Sequence, residues 1–200
     1  MLRLGILASG RGSNLQSIID QIESGTLTAE IGVVISDQEQ AGALARAKRH
    51  HLERVFVNPA DFADKKGFEE AISRVLQQYQ VDLVVMAGFM KVLSSSFIKA
   101  FSRRVINIHP SLLPSFPGLN PQRQALEHGV KISGCTVHFA DEGIDTGPII
   151  LQETVPVKED DTEETLAERI LTVEHQLYPR AIQLYSEGRL LVEGRRVRIL

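Results

Sequence analysis

Two hundred residues with a formal net charge of −3 and a single cysteine fit one sizeable domain with a core of its own. The charge balance gives no argument for a nucleic-acid or anionic-membrane partner, because no basic block is long enough to meet a polyanion. Cys135 on its own allows neither an intrachain disulfide nor a cysteine-based zinc site, which suits a reducing cytosol.

The N-terminal apolar run over 2–8 stops at Ser9-Gly10-Arg11-Gly12. It is too short for a signal peptide or a membrane span, so a cytoplasmic protein without a membrane partner is expected. It reads instead as a buried strand. Behind it come the turn Ser9-Gly10-Arg11-Gly12-Ser13-Asn14 and a helix with Leu15, Ile18, Ile19 and Ile22 at helical spacing. Strand, glycine turn and helix make a phosphate cradle. Gly10 and Gly12 let backbone amides approach an anion, Ser13 or Asn14 caps the helix, and the helix N-terminus adds partial positive charge. Leu15 stands where a dinucleotide fingerprint needs a third small residue, and the P-loop lysine is absent. The choice is then between a monophosphate site and a tight turn without a ligand.

A strand over 31–35 ends at Ser36-Asp37, where Asp37 is either a ribose-binding carboxylate or a helix cap. A helix over 41–50 and a strand over 55–57 follow. An amphipathic helix is marked by Phe68, Ile72, Val75, Leu76 and Tyr79, and the strand over 81–87 is apolar enough to be covered on both faces. This βαβαβαβ pattern predicts a parallel sheet with right-handed crossovers.

Ser94 to Ser96 can cap a short helix through Phe101, and the next strand, over 105–109, differs from the others. It carries Asn107 and His109 at alternate positions, hence on one face. Pro110 ends it just after the histidine, at the strand end where open α/β sheets bind ligands. Pro110, Pro114, Pro117 and Pro121 then enforce a stiff loop in front of that end. A short helix over 121–128, a strand over 134–140 with His138 near its end, an acidic turn over 141–148 and a strand over 149–157 come next. With no crossover helix between them, these two strands should be antiparallel. Asp161-Thr162-Glu163-Glu164 opens a long helix with a capping-box pattern. Pro179 is expected to kink it, and Glu174 and His175 read as a solvated face. A hairpin over 190–199 turns at Glu193-Gly194, with its arginines read as edge-strand residues.

If the loops gather them, Asn107, His109 and Asp145 make an acyl-transfer set. An amide can donate to an oxyanion, a histidine can move protons near neutral pH, and a carboxylate can orient the imidazole. No serine or cysteine is placed as a nucleophile, so direct attack by the substrate is expected. The six histidines show no metal-ligand spacing, and no metal is expected.

The glycine turn continued through Leu15-Gln16, Ala87-Gly88-Phe89-Met90, Asn107-Ile108-His109-Pro110-Ser111-Leu112-Leu113-Pro114, Phe116-Pro117-Gly118, Thr136-Val137-His138-Phe139, Asp145-Thr146-Gly147-Pro148-Ile149-Ile150 and Glu174-His175 closely resemble the phosphoribosylglycinamide formyltransferase family. These are the folate-dependent transformylases of purine synthesis, and the resemblance runs over nearly the whole chain. The Asn-x-His-Pro-Ser block with a later Asp is shared with other formyl-folate enzymes; the Gly-Ser-Asn turn and the chain length narrow the match. The resemblance implies a Rossmann-like formyltransferase fold of the α/β class, with a mostly parallel central sheet flanked by helices and an antiparallel portion in the C-terminal half. It implies a single domain over 1–200, with a nucleotide-binding half at 1–100 and a catalytic and folate-binding half at 101–200.

The same resemblance implies formyl transfer from 10-formyltetrahydrofolate, as co-substrate, to the amine of a glycinamide ribonucleotide. Asn107 would hold the oxyanion, His109 would donate a proton, and Asp145 would tune and orient His109. Gly12, Ser13 and Asn14 would hold the ribonucleotide phosphate, and Glu174 its glycinamide end. The folate would lie along Met90, Lys91, Val92, Leu93 and Asn107 and against Asp141, Glu142, Gly143, Ile144 and Asp145. Lys65 would meet its acidic tail, where the family often has arginine and its bidentate fork. Small molecules are the implied partners, and a monomer or homodimer the implied assembly. Asn120-Pro121-Gln122 stands where the family often carries histidines, and Asp37 where asparagine is common. Formyltetrahydrofolate deformylase, with the same residues acting on water, is the alternative; it adds an N-terminal regulatory domain, and methionyl-tRNA formyltransferase a C-terminal RNA-binding one.

Overall fold

β1 (Leu2–Leu7) is the axis of the first half of the chain in the computed structural model, which describes residues 1–200 throughout. It pairs in parallel with β2 (Ala29–Ser36) on one side and β4 (Leu83–Met86) on the other, and β3 (Arg54–Phe56) extends the sheet beyond β2. Leu4, Ile6 and Leu7 on β1 and Leu83, Val84 and Val85 on β4 are fully buried. Such strands must be covered on both faces, as their unbroken apolar runs predict. Each buried leucine, isoleucine or valine side chain contributes about 1.5–3 kcal/mol relative to leaving it in water. α1 (Ser13–Glu23), α2 (Gly42–Arg49) and α3 (Lys65–Gln78) connect the strands, and α4 (Ser95–Ala100) is capped by Ser94, whose hydroxyl accepts from the Phe97 amide. With β4 these make the expected parallel βαβαβαβ succession, inside a compact unit that spans Met1–Ile106.

Two expected caps in this unit are corrected. The N-cap of α1 is Gly12, in the left-handed region at φ 73, and no side chain caps the helix; Ser13 is already its first residue. Asp37 does not cap α2, whose N-cap is Ala41. The carboxylate is instead buried, 4% exposed, and accepts from the Gln38 side chain.

β5 (Val105–His109) carries the chain out of the first unit and into the second, Asn107–Leu200. In the second unit β6 (Ile132–Phe139) and β7 (Ile149–Pro156) are antiparallel, registered from Ile132 opposite Pro156 to His138 opposite Ile149. The short intervening loop leaves no room for a crossover. β9 (Arg196–Ile199) pairs parallel to β7, and β8 (Leu190–Glu193) pairs antiparallel to β9. The outer strand is therefore β8, and the arginines of β9 do not lie on the edge. Arg195, in the hairpin turn, donates to the Thr146 carbonyl at 3.1 Å and so ties the hairpin to the acidic turn.

α5 (Pro121–Glu127) and α6 (Glu163–Ser186) complete this unit, with α6 packed on β6 and β7. Thr162 caps α6 through a capping box closed by Thr165, while Asp161 pairs with both terminal nitrogens of Arg169 at 2.6 and 2.7 Å. The helix runs on through Pro179, which is buried, so the proline does not end it. No helix is long and apolar enough to cross a membrane.

Candidate active site

Period two places Asn107 and His109 on one face of β5, and the second unit brings Asp145 and His138 to them. His109 Nδ1 lies 3.3 Å from Asp145 Oδ2, and Asn107 Nδ2 donates to Asp145 Oδ1 at 3.4 Å. His138 Nε2 faces the same two partners, 3.3 Å from Asn107 Nδ2 and 3.6 Å from Asp145 Oδ1. One carboxylate is thus surrounded by three polar side chains. His138, placed only near a strand end by sequence, belongs to the cluster. Its signal was its position at the end of the strand neighbouring the acidic turn.

Tautomers follow from the partners. His138 Nδ1 lies 2.9 Å from the Phe139 carbonyl, which can only accept, so that nitrogen carries a proton; Nε2 receives the Asn107 amide when the ring is neutral and donates to Asp145 when the ring is cationic. For His109 both ring nitrogens face acceptors, Nε2 the Phe116 carbonyl at 2.9 Å and Nδ1 the carboxylate. Only an imidazolium can donate to both. Burial opposes that charge and holds the His109 pKa below its ordinary value, although the Phe116 carbonyl and Asp145 pull it upward; the charge of His138 works with burial. A cationic His109 is consequently a stronger acid than a free imidazolium. Burial by itself would raise the Asp145 carboxyl, but the His138 hydrogen bond, the Gly118 amide and the charges of both histidines overcome it and hold the pKa low.

Two loops hold this arrangement. In the acidic turn, Asp141 Oδ1 accepts from the Gly143 amide at 3.0 Å and the Thr146 hydroxyl at 2.6 Å. A Cβ at Gly147 would stand 1.7 Å from the Phe139 carbonyl, so only glycine lets the chain pass there. Between them Asp145 adopts a left-handed conformation at φ 55. Such strain costs about 1–3 kcal/mol in a residue other than glycine and persists only where the surroundings enforce it. The proline loop is pinned by Thr136, which accepts from the Leu113 amide at 3.0 Å and donates to the Ser111 carbonyl at 2.7 Å, and by Gln152, which donates to the Leu113 carbonyl at 2.8 Å. From this loop the Gly118 amide reaches Asp145 Oδ2 at 2.9 Å. Asn120 takes φ 52 ahead of α5, a left-handed geometry that asparagine tolerates. No group of three or more His, Cys, Asp and Glu side chains is arranged to hold a metal.

Glu174, expected on a solvated face, is buried at 6% exposure on α6, and its charge helps raise the Cys135 thiol on β6 to about 12, after burial as the main cause. The other expected residues lie in the first unit. Gly12 is pressed against α2: a Cβ there would be 2.7 Å from the Ala43 Cα. Gly10 meets nothing within 4 Å, so its lack of a side chain leaves open space above the turn. Ser9 accepts from the Met90 amide at 2.9 Å and donates its own amide to the Gly88 carbonyl at 3.0 Å. The segment Met90, Lys91, Val92 and Leu93 is therefore tied at its start to the glycine turn. At its end Glu69, buried on α3, accepts from both the amide and the hydroxyl of Ser94. Met90 and Val92 stay exposed between these ties, and Lys65 lies 3.8 Å from Glu69. Sequence reading missed Ser9 and Glu69 as anchors.

A family model described as formyl transferase matches residues 2–182. Phosphoribosylglycinamide formyltransferase of Bacillus subtilis (strain 168) is 39% identical over 183 residues, covering 92% of this chain and 94% of its own length. Trifunctional purine biosynthetic protein adenosine-3 of Homo sapiens is 45% identical over 93% of this chain, which spans 18% of that protein. This chain spans less than a fifth of each trifunctional relative it matches. The crystal structure of glycinamide ribonucleotide transformylase 1 from Symbiobacterium toebii superposes with a TM-score of 0.99 at 53% identity, over 100% of this chain and 94% of that one.

Proposed function

Because the chain belongs to the phosphoribosylglycinamide formyltransferases of the formyl transferase family, we propose that it transfers the formyl group of 10-formyltetrahydrofolate to the amine of N1-(5-phosphoribosyl)glycinamide, giving the N2-formyl product and tetrahydrofolate in purine (IMP) biosynthesis. The observation that carries this reading is the convergence of Asn107, His109 and His138 on Asp145.

The substrate amine attacks the formyl carbon, and the formyl oxygen gains negative charge. Asn107 Nδ2 donates to it. The present bonds of that amide, at 3.3 and 3.4 Å, are long and readily exchanged for a developing oxyanion. As the bond from the formyl carbon to folate nitrogen breaks, that nitrogen takes a proton from His109, and the proton shed by the attacking amine restores the His109 imidazolium, so that no net proton is gained or lost. Asp145 keeps His109 oriented and supports its cationic form. Without a protein nucleophile in the cluster, the formyl carbon passes directly between substrates. The ribonucleotide phosphate rests on Gly12, Ser13 and Asn14, with Glu174 at the glycinamide end. The folate lies along Met90 to Leu93 and against Asp141 to Asp145, and Lys65 takes its acidic tail.

An absorbance assay with the 10-formyl donor, run with and without the ribonucleotide, tests the proposal. Folate product that forms only with the ribonucleotide is the expected result. Equal product in its absence would mean hydrolysis and would replace transferase with deformylase.

A further inference from the structure

We propose that Arg46 is a positioning residue for the glycine turn, setting how well the turn holds the substrate phosphate; this rests on the ribonucleotide reading above. Arg46 lies on α2, outside every residue so far given a role. Its Nε donates to the Arg11 carbonyl at 2.9 Å, and its Nη1 donates to Gln16 Oε1 at 3.0 Å. One planar guanidinium therefore spans the turn from Arg11 to the first turn of α1, on either side of Gly12, Ser13 and Asn14. α2 adds a backbone tie from the Ala43 amide to the Gly10 carbonyl at 3.1 Å.

Donor and acceptor roles around Arg46 admit a single consistent assignment. Arginine can only donate, so Gln16 must present its oxygen to it. The Gln16 amide nitrogen then donates to Asp20 at 2.8 Å and faces His50 Nε2 at 3.1 Å. His50 must accept there, which puts its proton on Nδ1, 2.8 Å from Glu23. The side chain that orients Arg46 is thus itself fixed by two further partners, Asp20 and His50. An anion site made of backbone amides works only if those amides already converge, because ordering them on binding subtracts from affinity. Lysine keeps the charge of arginine but lacks the rigid fork that reaches both acceptors.

The test is steady-state kinetics on Arg46→Gln, Arg46→Lys and Ser13→Ala, each with the ribonucleotide and with its 5′-dephosphorylated riboside as acceptor. Both Arg46 variants should raise the ribonucleotide KM by about tenfold, leave the riboside KM in place, and lower kcat far less. The advantage of phosphate over riboside then shrinks. Arg46→Lys is the gentler variant and carries the test if Arg46→Gln does not fold. An Arg46→Lys enzyme with wild-type KM would overturn the inference, since charge alone would then suffice. A phosphate advantage reduced by Ser13→Ala but not by the Arg46 variants overturns only this inference, and one that no variant reduces overturns the phosphate reading with it.

Discussion

At Asp145 three polar side chains and a loop amide converge on one half-buried carboxylate, whereas at Gly12 the chain presents backbone alone, pressed against the first turn of α2. The first region stores strain and shifts two pKa values; the second has no side-chain cap at all. On the proposed function, the difference separates chemistry from holding. Substitutions at the Asp145 cluster should therefore appear in kcat, and those at the turn in ribonucleotide KM and in stability.

The largest effect should come from Asn107→Ala, which removes the proposed oxyanion donor and should lower kcat about 10²–10³-fold in steady-state assays. His109→Ala and Asp145→Asn should each be comparably severe, and the double variant little worse than either, because the two act as one unit. Additive losses in that double variant would break the cluster into independent parts.

On the other side of the comparison, Gly12→Ala meets both a left-handed backbone and the Ala43 Cα. It should lose about 1–3 kcal/mol in urea unfolding, while Gly10→Ala, which faces open space, should stay within about 0.5 kcal/mol. Ser13→Ala should raise the ribonucleotide KM by about tenfold or less and barely move kcat. A kcat loss equal to that of Asn107→Ala would erase the distinction.

The smallest effect is electrostatic. Asp145 is one of the groups that raise the His109 pKa against burial. Asp145→Asn should therefore move the His109 titration further down, as read by NMR. Between that lowered value and the unfolded value of about 6.5, the unfolded chain binds more protons, so stability rises with pH there and is lost on acidification. The depressed Asp145 pKa acts at lower pH. Its contribution is present above the unfolded value of about 3.9 and is lost as pH falls through the native value. Unfolding curves for Asp145→Asn should lack that acid limb.

Much of the fold was legible because period-two and helical patterns are local: β4 and the antiparallel pairing of β6 with β7 lie where the apolar runs put them. Asn107, His109 and Asp145 were legible because those residue types carry chemistry. Glu174 was misread as solvated, although it stands four residues after buried Ile170 on the same helix face. Gly12 was read as part of either a monophosphate site or a tight turn without a ligand, and the pressure of α2 upon it was invisible because that helix, itself expected over 41–50, arrives from about thirty residues away. Arg46, Ser9 and Glu69 were missed for the same reason. Each binds across a separation of 25 to 81 residues, to a carbonyl, amide or hydroxyl group that leaves no pattern in the sequence.

The most direct test of the account is to trace the formyl carbon. With an isotopically labelled 10-formyl donor and the ribonucleotide in a single turnover, all of the label should appear in the formamide of the ribonucleotide product. Label recovered as free formate, at the same rate with or without the ribonucleotide, would contradict direct transfer at the Asp145 cluster.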